Sequence, residues 1–67
     1  MNINEILDFA FPVTPEHKKC KIELQKVMYR REKLRLMVER YKAGEIVNFE
    51  ALHISVDMDE IMKRINN

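Results

Sequence analysis

Ser55 and Asp59 stand four residues apart, with Asp57 and Glu60 beside them, so the stretch from Leu52 to Met62 gathers the side chains of this 67-residue chain best placed to do chemistry. On a helix of 3.6 residues per turn, a hydroxyl and a carboxylate at that spacing lie side by side. Such a pair can hold a proton or orient a water. Asp57, Asp59 and Glu60 also fit a plainer role, because acids in a first turn complement the helix dipole. The remaining reactive types are scattered. His17 and His53 have no metal-ligand spacing with Cys20, and no glycine-rich phosphate loop is present, so neither a metal nor a cofactor of the chain's own is expected. Cys20 falls on an apolar stripe and is expected in the core rather than as a nucleophile.

The elements that must position these residues are helical. One glycine, two prolines, no tryptophan and an abundance of Leu, Ile, Met, Glu, Lys and Arg suit helices over sheet, and the length allows a single small domain, 1–67. The fold expected is all-α: an antiparallel helical hairpin preceded by a short helix within 1–13, with homodimerisation into a bundle as a way to enlarge the core. Pro12 closes the first helix. Phe9 and Phe11 are then either a lid on the core or an exposed docking peptide. Thr14-Pro15-Glu16 starts a long basic helix, 14–43, on which Cys20, Leu24, Val27, Leu34, Val38 and Tyr41 form the buried stripe and Arg31 interrupts it. Ile22, Tyr29 and Leu36 recur every seven residues on the opposite side, the pattern of a helix that also meets another chain. Gly44 ends this helix.

For the last segment there are two registers. With Asn48 as the cap, one helix spans 48–66; with Ser55 as the cap, the helix is shorter and Asp57 lies in its first turn. The longer helix is preferred. Its core arc is Ala51, Ile54, Met58, Ile61, Met62 and Ile65, and Leu52 and Val56 then frame Ser55 and Asp59 on the outward side. A polar pair framed by apolar residues is a contact surface, and Leu52, Val56, Met62 and Lys63 form its expected partner-binding set.

Charge is unevenly placed. From Glu16 to Lys42 ten Lys and Arg face four Glu, whereas Glu5 and Asp8 precede this segment and five acids against two bases follow it. Acidic flanks can fold over a basic middle, or the basic face can await an acidic partner. Nucleic-acid binding by a basic dimer is the less favoured reading: no aromatic platform accompanies the bases, and an acidic helix start repels phosphate. The lone cysteine and the lack of a long apolar run point to a soluble cytoplasmic protein.

From Glu32 to Ile65 the text resembles the stage-zero sporulation protein E family of small aspartyl-phosphate phosphatases. Glu32-Lys33-Leu34-Arg35-Leu36-Met37-Val38-Glu39-Arg40-Tyr41 is followed by a loop, and then by Leu52-His53-Ile54-Ser55-Val56-Asp57-Met58-Asp59-Glu60-Ile61-Met62. The family signature is Ser-Gln, any residue, Leu, Asp and then apolar positions. Ser55, Met58, Asp59, Ile61 and Met62 fall on it, with Val56 where the family has Gln. The resemblance implies a helical hairpin that removes phosphate from the phosphoaspartate of a sporulation response regulator, a negative regulator of sporulation. It implies Asp59 and Ser55 as catalytic residues and Mg²⁺ held by the partner receiver domain, since a receiver already carries phosphoryl group and metal and needs only an oriented water. The alternative is a non-catalytic helical adaptor or inhibitor, which the missing Gln amide favours.

Overall fold

The computed structural model describes residues 2–54 and 56–67. Among them are four α-helices, α1 (Ile3–Ala10), α2 (Pro15–Lys19), α3 (Lys21–Lys42) and α4 (Met58–Asn66), one 3-10 turn (Phe49–Leu52) and no strand, so the fold is all-α. None of these helices is long and apolar enough to cross a membrane.

α1 opens on the side-chain oxygen of Asn2, which accepts from the Asn4 amide at 3.0 Å, and buries Ile6, Leu7 and Ala10. It closes one residue before Pro12, because the proline ring disfavours helical geometry at Phe11. Phe11 is buried and Phe9 half-buried, the lid arrangement. Ile3 shares a groove with Val38, Glu39 and Lys42, while Phe11 sits at Arg31, so α1 runs antiparallel to α3. Arg31 explains its place on an apolar stripe. Its guanidinium donates to the Phe11 carbonyl at 2.8 Å and meets Asp8 at 2.8 Å, closing the free end of α1.

The long helix expected over 14–43 is broken at Cys20, whose backbone is extended at φ −121° and ψ 109°. Thr14 and Arg30 show why. Sixteen residues apart in sequence, they would be about 24 Å apart on one continuous helix, yet they line the same groove with Phe11, His17 and Val27. α2 therefore folds back along α3 beside the end of α1. It is held by a reciprocal cap in which Thr14 Oγ1 accepts from the His17 amide and His17 Nδ1 accepts from the Thr14 amide at 3.0 Å. At the joint the Cys20 side chain turns outward. It is exposed and not part of the core, whereas Val27, Leu34 and Val38 are buried and Leu24 and Tyr41 half-buried, as their spacing requires.

α3 ends on Gly44 at φ 93°. The Gly44 amide bonds the Tyr41 carbonyl and the Glu45 amide the Arg40 carbonyl, both at 3.0 Å, the paired closure that a left-handed glycine allows.

The single helix expected over 48–66 is not formed either. Asn48 caps only the 3-10 turn, His53 then takes the left-handed conformation at φ 51°, and α4 starts afresh at Met58 under the side chain of Asp57. The cap of the last helix is therefore Asp57 and not Asn48. The reason is angular. Leu52 and Ile61 are nine residues apart, about two and a half turns, so one helix would turn them to opposite sides. Phe49, Leu52, Ile61 and Ile65 are all buried in one core, and the break rotates the two pairs into it. Phe49 meets the Tyr41 ring edge-on at 5.8 Å.

The connection also doubles back. Ala51, Leu52 and His53 share a groove with Lys26, Arg30 and Lys33, and α4 then returns so that Tyr41 bonds Asn66 and the Lys42 ammonium reaches the Ile65 carbonyl at 3.1 Å. α3 and α4 thus end side by side, not as the antiparallel hairpin expected from a short loop. α1 packs against both, and the Arg64 guanidinium lies 4.3 Å from the centre of the Phe9 ring. Ile6, Leu34, Val38, Ile61 and Ile65 form the fully buried centre.

Candidate functional site

Of the three carboxylates at the start of α4, two are used by the helix itself. Asp57 Oδ1 accepts from the Asp59 amide at 2.9 Å and is the N-cap. Glu60 lies 3.5 Å from Arg64, one turn on. The Asp59 carboxylate is exposed and has no ion pair or side-chain hydrogen bond to the described residues. It stands on the first turn of a helix whose Ile61 and Ile65 are locked in the core.

Met62 and Lys63, three and four residues on, share the Asp59 side of α4; Met62 is half-buried and Lys63 exposed. Val56, half-buried, immediately precedes the cap. Leu52 departs from this group. It is 5 % exposed and belongs to the core, so the expected ridge of Leu52 and Val56 on one helix does not exist. Ser55 lies outside the described residues. The helical period therefore puts Asp59, Met62 and Lys63 on one side of α4, while Val56 packs against the core just before the cap and Leu52 lies within the core.

The histidines and the cysteine are elsewhere. His17 is engaged in the α2 cap and His53 is exposed on the left-handed link. Among the described residues no three His, Cys, Asp or Glu side chains gather as metal ligands.

A second polar arrangement, on α3, was not singled out by spacing. Arg35 bonds Glu32 and also Glu39, at 2.6 Å, within its own helix. The hydrogen bond from Arg35 holds the Glu32 carboxyl below the usual carboxylate range, and Glu32 in turn raises Arg35 above the ordinary guanidinium value. Acids three residues before and four after an arginine are the sequence signal for such a clasp.

No protein-family model matches this chain, and no curated protein or solved structure matches it.

Proposed function

We propose that the chain is a negative regulator of sporulation that binds the receiver domain of a response regulator and hydrolyses its aspartyl phosphate. The observation that carries this reading is the exposed Asp59 carboxylate on the first turn of α4, without an ion pair among the described residues, at the position that falls on the signature aspartate of the resembled family. In this reading the receiver contributes the phosphoryl group and Mg²⁺, and Asp59 orients a water for in-line attack. Ser55 positions Asp59, and Val56, Met62 and Lys63 dock on the receiver. The chain works in the cytoplasm, where response regulators are phosphorylated.

The test is phosphate release from a phosphorylated receiver domain mixed with the full chain. Asp59→Ala abolishes release while the helical circular-dichroism signal is unchanged, because an exposed carboxylate that caps nothing contributes little to stability. Val56→Gln raises the rate by restoring a water-orienting amide. Release that persists in Asp59→Ala overturns the catalytic assignment.

A second reading, a non-catalytic adaptor or inhibitor, is favoured by Val56 in the Gln position and by the loss of Leu52 to the core. An adaptor binds the receiver with or without phosphate and releases none, and its affinity falls in Val56→Ala and Met62→Ala rather than in Asp59→Ala.

A further inference from the structure

α3 is exposed along the side opposite its core stripe, and that side is apolar along its middle. Ile22, Tyr29 and Leu36 are 64 %, 67 % and 45 % exposed, and their seven-residue spacing sets them in one line down the helix. Single exposed apolar residues are ordinary, but a row of three on one face is not. The helical period places Lys26, Lys33 and Arg40 along one flank of this row and Gln25, Glu32 and Glu39 along the other. Shallow grooves run on both sides of Tyr29 and Lys33, one lined by Glu32, Leu36, Met37 and Arg40 and one by Lys26, Arg30 and His53.

The two flanks are not equivalent. Glu32 and Glu39 are already clasped by Arg35 on the side away from the row. Lys33 and Arg40 have no ion pair among the described residues; the Lys33 ammonium rests 5.9 Å from the centre of the Tyr29 ring. Lys26 has only the loose contact with Glu23 at 3.6 Å. The face therefore offers apolar anchors beside uncompensated positive charge. A second copy of the chain fits it poorly. Antiparallel pairing of two α3 helices sets the basic flanks against each other, and parallel pairing needs the acids that Arg35 holds. A nucleic acid would meet an apolar row where it needs donors, with two carboxylates at its edge.

We propose that this outer face of α3 is a docking site for an acidic amphipathic helix of a partner protein, its apolar row lying on Ile22, Tyr29 and Leu36 and its carboxylates pairing with Lys26, Lys33 and Arg40. The site is separate from Asp59 and does not rest on the phosphatase reading.

The experiment uses the full chain and a fluorescent synthetic helix of about 18 residues with a leucine row flanked by glutamates. One control has lysine for each glutamate, and another has the same composition scrambled so that no apolar row forms. Fluorescence anisotropy is expected to show saturable binding of the acidic helix alone, weakening as salt rises from about 50 to 300 mM. The double substitution Lys33→Glu with Arg40→Glu lowers its affinity by about tenfold or more and admits the basic control, the reversal that charge complementarity requires. Leu36→Ala weakens binding without changing the salt slope. These positions are exposed, and circular dichroism verifies that each variant is folded. The proposal is overturned if the acidic helix does not bind, if acidic and scrambled peptides bind alike, or if the double substitution leaves affinity unchanged. It is equally overturned if a short DNA duplex binds more tightly than the peptide, or if the chain forms a reversible dimer at micromolar concentration that Leu36→Lys dissolves.

Discussion

Arg31 joins the two ends of the packing problem, because a charge on an apolar stripe must find partners before it is covered. Its partners are the Phe11 carbonyl and Asp8. Arg31→Met keeps the aliphatic stem and leaves that carbonyl unbonded, and is expected to cost about 1–2 kcal/mol in urea unfolding. Asp8→Ala costs far less, since Asp8 is largely exposed and an exposed ion pair is weak. A similar contrast separates neighbours on α4: Asp57→Ala removes a cap and costs about 1 kcal/mol, whereas Asp59→Ala is close to neutral. The Arg35 clasp has a pH dependence of known sign. Because the Glu32 pKa is lowered in the folded chain, its stabilisation is present above the unfolded carboxylate value and is lost as pH falls through the folded one; Glu32→Gln should flatten that part of an acid titration followed by ellipticity. At this scale the sequence marked Arg31 as an interruption but not its target, which lies twenty residues earlier and is set by how α1 docks.

The start at Thr14-Pro15 and the stop at Gly44 were legible as local chemistry, whereas Asn48 caps a 3-10 turn and not the long helix its position suggests. The breaks at Cys20 and between His53 and Asp57 were not legible, because a local period stays helical through both and only the shared core decides. For the second break a signal was present. Phe49 and Leu52 fall half a turn away from Ile61 and Ile65 on one helix, so a reading that buries all four must break it. An outward-facing Leu52 satisfies the helical period only by leaving the core that the structure gives it. Leu52→Ala and Ile61→Ala should therefore each cost about 2–4 kcal/mol, as large-to-small core changes do, and Val56→Ala clearly less. A denaturation series that ranks Val56 with Ile61 would contradict this assignment. Gly44→Ala meets no side chain, yet should cost about 1 kcal/mol through its left-handed backbone alone.

Across the described residues, a single ion pair joins an acidic end to the basic middle. The ion pairs of the described residues lie within α3 or within α4, apart from Arg31 with Asp8. What joins the helices is the apolar centre of Ile6, Leu34, Val38, Ile61 and Ile65. Thermal unfolding should accordingly shift little between low and high salt, while the peptide contact proposed for α3 weakens over the same range. The positive surplus of the middle segment was visible in the composition. That its uncompensated part lies on the outer face of α3 became visible only once Arg35 was seen to hold Glu32 and Glu39.

The outward turn of Cys20 has a practical bearing on any sedimentation measurement. In aerated buffer without reductant, dissolved oxygen can take two electrons and two protons from an exposed Cys20 thiol and the same thiol of another molecule, joining them as a disulfide. The product has the mass of a pair although no helix face need touch another. Sedimentation of Cys20→Ser, alongside the native chain in reductant, separates that covalent species from association through α3, and the same thiol accepts a single dye that reports on the α2–α3 joint without entering the core.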